Sequence, residues 1–245
     1  MAVSGGQGGN MEAAPQVGRV SAGGDAGGMP DQALGRKPSL QAAAYEAIKD
    51  RIVTCRYRPG EYLNEQQISD ELGFGRTPVH QAVNRLSLEG LVEIIPRKGV
   101  IVKPLSLDDI LDVADVRQVN EIHCAQLAAN RLAADAVAGF EAILAESREA
   151  CEERDVERLM HLDRRFHGLI AQTAGNAVLA DVLRNLHDRS LRHWFLSLTD
   201  PDHDRRVIEE HERILDAIRS GDKARIAEAV ADHIGSFRKN LLARL

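Results

Sequence analysis

Apolar positions along the chain fall into two regimes. Between residues 39 and 103 they switch from a helical period to an alternating one, and from residue 105 to the end the helical period never lapses. Ser39 is a good cap for a first helix running to about residue 54, with Leu40, Ala44, Ile48 and Ile52 as its core stripe. Asn64 caps the next, with Gln67 three residues on as reciprocal partner. Ile68 and Leu72 form its apolar side, and Gly73-Phe74-Gly75 ends it. Thr77 caps a third helix, with Pro78 at the first helical position, where a missing N–H costs nothing. Val79, Ala82, Val83 and Leu86 recur at i, i+3, i+4 and i+7 and predict one buried face, leaving His80, Gln81, Asn84 and Arg85 outside. The β-rich runs 91–95 and 100–103 flank Pro96-Arg97-Lys98-Gly99, a turn carrying two cations. Helix, turn, helix and basic-tipped hairpin outline a winged helix-turn-helix that reads DNA.

The remainder reads as helices near 107–133, 136–152, 155–174, 177–198, 204–219 and 222–244, punctuated by Gly175-Asn176, Pro201-Asp202 and Gly221-Asp222. The expected fold class is mainly α: an N-terminal winged helix-turn-helix followed by a C-terminal antiparallel all-helical bundle. Residues 36–104 form the first domain and 105–245 the second. Residues 1–35, which hold 10 of the 20 glycines and almost no bulky apolar side chains, are expected to be a disordered tail.

Charge sharpens this division. Residues 36–104 carry 11 Lys and Arg against 8 Asp and Glu, whereas 105–245 carry 19 against 26, within a net charge of −6. One mildly basic module in an acidic chain suits local phosphate contact better than general polyanion coating. No apolar run approaches the ~18 residues of a membrane span, and no cationic start precedes an apolar block as in a signal peptide. Cys55, Cys124 and Cys151 are odd in number and lack metal-type spacing, which points to a reducing cytoplasm.

The bundle carries the second informative pattern. Asp163 and His167, four apart, lie on the face marked by Val156, Leu159, Met160, Phe166 and Ile170. His211 sits amid Val207, Ile208, Ile214, Leu215 and Ile218, and His233 amid Ile226, Val230, Ile234, Phe237 and Leu241. A single inward histidine is usually a hydrogen-bonded core residue, and a buried carboxylate without partners is costly. Three helices that each aim ionisable groups inward point to a divalent metal, Zn²⁺, Ni²⁺, Mn²⁺ or Fe²⁺, with Zn²⁺ expected on purification. Octahedral geometry with room for water or a carboxylate and tetrahedral closure by all four residues both remain open.

Residues 72–91, with Leu72, Gly73, Arg76, Thr77, Pro78, Val79, Ala82, Leu86, Glu89, Gly90 and Leu91 in register, resemble the second half of the GntR-type winged helix. Arg58-Pro59-Gly60-Glu61-Tyr62-Leu63 resembles that family's entry motif. The resemblance implies that Arg76 and Thr77 touch phosphate or a base edge, with Gln66, His80, Gln81, Arg97 and Lys98 completing the DNA contacts. The family's usual Arg-Glu pair is His80-Gln81 here, so an always-charged fork becomes an imidazole mostly neutral at pH 7.

Further on, Val116-Arg117 with Glu121, residues 163–167, Gly175-Asn176, Glu210-His211 through Gly221-Asp222, and His233-Ile234 resemble the FCD ligand-binding domain of the FadR-type branch. Its metal ligands map onto Asp163, His167, His211 and His233. Six helices instead of seven resemble the VanR-like subgroup. The resemblance implies a small-organic-acid effector held partly by the metal, with Arg117 as its carboxylate fork, unless Arg117 forms an i, i+4 ion pair with Glu121 on the helix surface. Asn120, where the family has an apolar residue, would select a more polar ligand if it faces the cavity. His123 and His187 are expected to be exposed or to support the ligands from outside, and Trp194-Phe195 to pack between helices.

Together these features predict a metal-dependent transcriptional repressor without enzymatic activity, which binds a short palindromic operator as a homodimer and responds to a small carboxylate. A purely structural metal and a metalloenzyme with an appended DNA module are the alternatives. Against the latter, no general base is spaced beside the ligands, and neither a phosphate-cradling glycine loop nor a G-x-S-x-G nucleophile motif occurs.

Overall fold

The computed structural model describes residues 39–197 and 201–242, apart from the side chains of 194–197 and 201. The glycine-rich tail and the packing expected of Trp194-Phe195 lie outside what is described. Among the described residues the fold is mainly α, nine helices and one small sheet. The first module comprises α1 (Leu40–Val53), β1 (Tyr62–Leu63), α2 (Glu65–Leu72), α3 (Arg76–Leu88), β2 (Val92–Ile95) and β3 (Gly99–Val102). Six helices follow: α4 (Leu107–Ala129), α5 (Ala134–Glu153), α6 (Val156–Ala174), α7 (Ala177–Ser197), α8 (Pro201–Ser220) and α9 (Lys223–Leu242).

Ser39 caps α1 by accepting from the Ala42 N–H. Leu40, expected in the core, is 72% exposed; the stripe is instead Ala44, Tyr45, Ile48, Lys49, Ile52 and Val53, shifted round the helix so that a lysine is wholly buried. Asn64 caps α2 through a bond from the Gln66 N–H rather than by a reciprocal box with Gln67. The helix stops at Gly73, whose φ of 71° is left-handed and therefore favours glycine. Thr77 is not the cap of α3: the helix opens two residues earlier, behind Gly75, and Pro78 lies within the first turn, where its missing donor is still harmless. The face Val79, Ala82, Val83 and Leu86 is buried.

The wing is a hairpin pairing Val92 with Val102 and Ile95 with Gly99. Its third strand, β1, was not foreseen; it pairs antiparallel with β3, giving the order β1-β3-β2. Two residues are too few to show an alternation in sequence. Gly99 (φ 116°) is indispensable there, since a Cβ would lie 2.7 Å from the Leu63 carbonyl oxygen.

In the bundle, α4 packs on α6, α7 and α9, and α5 on α6 and α8. The helix α4 ends at Ala129, short of the expected 133, and Pro201 starts α8 three residues early, at the position proline suits best. Phe140, Phe166, Ile110, Met160, Leu162 and Leu191 are among the largest wholly buried side chains of this core. None of the described helices is long and apolar enough to cross a membrane.

Candidate metal centre and nucleic-acid interface

Helical spacing brings Asp163 and His167 of α6 face to face with His211 of α8 and His233 of α9. One ring nitrogen from each of His167, His211 and His233 lies within 4.8 Å of the others. Asp163 Oδ1 is 3.3 Å from His211 Nε2 and 3.9 Å from His167 Nε2. The four residues singled out by face analysis thus form one cluster, roofed by Phe166, which stacks on His211 with ring centroids 4.2 Å apart.

Carboxylates behind the imidazoles fix which nitrogen faces inward. His233 Nδ1 is 2.9 Å from Glu210 Oε2, and His167 Nδ1 is 3.2 Å from Glu121 Oε2. Each carboxylate holds the Nδ1 edge and leaves Nε2 for a cation. Glu121 is itself held by Arg117, whose Nε donates to Oε1 at 2.7 Å. The foreseen Arg117–Glu121 pair therefore exists, but it is buried rather than on the helix surface, and it backs the centre.

Burial opposes charge on every member, and the partners decide the outcome. Desolvation raises the Glu121 carboxyl, but Arg117 and then His167 outweigh it and hold it well below the usual carboxylate range. Asp163 is likewise raised by burial and brought well below its ordinary value by His187 and His211. Desolvation lowers His167 and His211, keeping both imidazoles neutral with lone pairs available. The Nε2 atoms of His167 and His211 are buried without a hydrogen bond: Asp163 Oδ1 is too far from the first, at 3.9 Å, and poorly aligned with the second, at 3.3 Å. Orphaned buried nitrogens beside a carboxylate fit a divalent cation that would satisfy them together.

Two cavities meet here. A small one of about 30 Å³ is lined by Arg117, Asp163, His187, Glu210 and His233 among others. A larger one, about 940 Å³, runs from Glu121, Cys124 and His167 out between α6 and α7 to exposed Arg165, Asp181 and Arg184. Asn120 lines neither; its amide donates to the Val116 carbonyl of its own helix. His123 is exposed, but His187 is not: it is buried, 3.0 Å from Asp163 Oδ2. It lies on the buried stripe of Leu179, Leu183 and Leu191, four residues from each of the last two, so the same face analysis that singled out His211 and His233 would have marked its inward aim.

On the DNA module, Arg76, Thr77, His80 and Gln81 are exposed on α3, and Arg97 and Lys98 at the tip of the wing. Gln66 of α2 accepts from Arg76 Nε at 2.7 Å, holding the guanidinium at the head of the helix. His80 Nδ1 is 3.0 Å from Glu65 Oε1, a contact that sequence did not suggest.

Family models match the two modules in turn: the gntR family of bacterial regulatory proteins over residues 40–102 and the FCD domain over 112–236. The HTH-type transcriptional repressor RspR of Escherichia coli is 26% identical over 197 residues, 80% of this chain and 86% of its own. A regulator from the TAR-I ttuE-ttuC' intergenic region of Agrobacterium vitis is 38% identical over 140 residues, 54% of this chain and 80% of its own. Among solved structures, McbR/YncC of E. coli superposes with a TM-score of 0.78 at 20% identity, covering 84% of this chain and 99% of its own. A GntR regulator from a Rhodococcus species follows at 0.71 and 18%, covering 85% and 100%. The winged helix, the helical bundle and both family matches agree: the chain belongs to the GntR family of bacterial regulatory proteins, with a C-terminal FCD domain, and is a DNA-binding transcriptional regulator.

Proposed function

We propose that the chain is a metal-dependent repressor that binds a short palindromic operator as a homodimer and releases or grips it in response to a small organic acid. The observation that carries this reading is the convergence of Asp163, His167, His211 and His233 in the core, with Glu121 and Glu210 turning two of the rings inward. A bound divalent ion would supply a Lewis-acidic point for a carboxylate oxygen. The protein's part is to exclude bulk water and hold neutral imidazoles. Arg117 lines the same small cavity and supports the reading of a carboxylate site. Residues 36–104 serve as the reading head and 105–245 as the sensing and pairing domain. Arg76, Thr77, His80, Gln81 and Gln66 would meet the major groove, and Arg97 and Lys98 the flanking backbone.

A regulator with a structural ion is the second reading, and the size of the small cavity favours it: about 30 Å³ is the volume of roughly one liquid water. Elemental analysis of the purified chain, with sedimentation and anisotropy of a duplex selected from a random pool, tests both. About one divalent ion per chain, a dimer, and operator affinity that shifts when small carboxylates are added support sensing. Metal and DNA binding that no carboxylate alters support stapling. Absence of metal from the chain sinks both.

A further inference from the structure

His187 is the one described residue that lines both the small cavity and the 940 Å³ crevice. Its ring forms the partition between them. The other imidazoles of the centre are anchored, His167 beside Glu121, His233 on Glu210 and His211 against Phe166. His187 is held less firmly: its buried nitrogens make no aligned hydrogen bond, and its polar contact is Asp163 Oδ2, 3.0 Å from Nε2. Its ring is not one of the three imidazoles His167, His211 and His233, but it lies 4.7 Å from His167 and has a nitrogen within 4.8 Å of ligand atoms of both His167 and Glu121.

An organic acid does not fit a space of about 30 Å³, whereas typical ligand pockets span roughly 300–1,000 Å³. The crevice has that capacity, and its lining includes Arg164, Arg165 and Arg184, each paired with a carboxylate, but His187 stands between it and the inner cavity. Rotation of a ring held by one poorly aligned contact is cheaper than rotation of one that must first break an aligned hydrogen bond. Resting on the metal-centred reading above, we infer that His187 is a gate and specificity-determining residue. Its rotation merges crevice and inner cavity, and the aperture limits which carboxylates reach the metal and Arg117.

Full-length chain loaded with Co²⁺ gives a visible spectrum that reports ligand exchange at the ion. Stopped-flow mixing with acetate and with citrate, on the native chain, His187→Ala, His187→Gln and His187→Trp, tests the gate. The expected result is equal Co²⁺ content in all four. Citrate should associate about tenfold faster in His187→Ala and about tenfold slower in His187→Trp, with acetate less affected and His187→Gln near native. Citrate rates identical in the Ala and Trp variants overturn the proposal, as does a spectrum that neither anion perturbs in any variant. Loss of Co²⁺ from His187→Ala and His187→Gln also overturns it, by making the ring a ligand. Failure of the native chain itself to take up Co²⁺ would remove the metal reading and, with it, anything for a gate to guard.

Discussion

Lys49 of α1 and Asp188 of α7 meet across the junction of the two modules, Nζ to Oδ2 at 3.2 Å, and both side chains are buried. Asp188 Oδ2 also accepts from Arg164 Nη2 at 3.2 Å. Those two partners follow His187 and Asp163 directly in sequence, so consecutive residues on α6 and α7 face the candidate metal centre and the DNA module in turn. On the other side Lys49 donates to the Tyr45 hydroxyl at 3.1 Å. Tyr45 in turn donates to Glu89, which closes the recognition helix α3 and pairs with Arg85. A packed ionic chain therefore joins the core of the helical bundle to α3. It biases DNA binding only if its two ends favour different arrangements.

Asp188→Asn leaves Lys49 buried with only half-exposed Glu46 as a charge partner, and should cost about 3 kcal/mol, since removing one member strands the other. Lys49→Met should cost less, because Arg164 still neutralises Asp188. Urea titrations of the two variants check the order. Equal losses would show that Arg164 does not compensate Asp188 once Lys49 is gone.

On the DNA face, Glu65 occupies the His80 ring, so a new cation at 80 meets a carboxylate before it meets phosphate. His80→Arg alone should leave the salt dependence of DNA binding nearly unchanged. With Glu65→Gln added, the slope of log K against log salt should steepen by about one contact. Arg76→Ala should lower the slope by about one and abolish sequence selectivity. Anisotropy across a salt series on random and selected duplexes separates these outcomes.

How much of this was legible in the sequence follows from which physical signals act locally. The helices, the buried face of α3 and the cluster of Asp163, His167, His211 and His233 were readable, because each rests on a period of three to four residues within one helix. Lys49 was not, since a lysine four residues from Tyr45 looks like surface until Asp188 arrives from 139 positions away. Glu121 was taken only as the partner of Arg117. Its second oxygen reaches His167 on another helix, a relation that spacing does not encode. Glu210 stands in the sequence only as the neighbour of His211, and His187 only as exposed or supporting; their contacts with His233 and Asp163 also cross between helices. The Thr77 cap failed because a glycine with suitable φ and ψ opened the helix two residues sooner.

Glu210→Gln and Glu121→Gln probe the carboxylates behind the rings. Each removes the charge that makes an imidazole a better donor, so metal affinity should fall by roughly 10–100-fold while the fold persists. His167→Ala should remove most metal and lower the melting temperature of the loaded chain toward that of the chelated one. Chelator competition gives the affinities, and unchanged values in both Gln variants would separate these carboxylates from the centre.

The last prediction concerns acid. Desolvation, with Arg192 beside it, lowers His193 from its ordinary value to about 4. Above about pH 6.5 the ring is neutral whether the chain is folded or not, and titration contributes nothing. Below that, the unfolded chain binds a proton that the folded one refuses. Stability must therefore fall as pH drops from about 6.5 toward 4, and level off once the folded ring also charges. His167 and His211 act with the same sign, so the parent alone does not isolate His193. The difference between parent and His193→Gln does, because the other histidines are common to both. Melts of the metal-free proteins at about pH 7.5 and 5 should show the smaller acid-side loss in the variant. An equal loss in the two proteins would mean that His193 charges in the folded chain as readily as in the unfolded one, with the Arg192 guanidinium turned away from it.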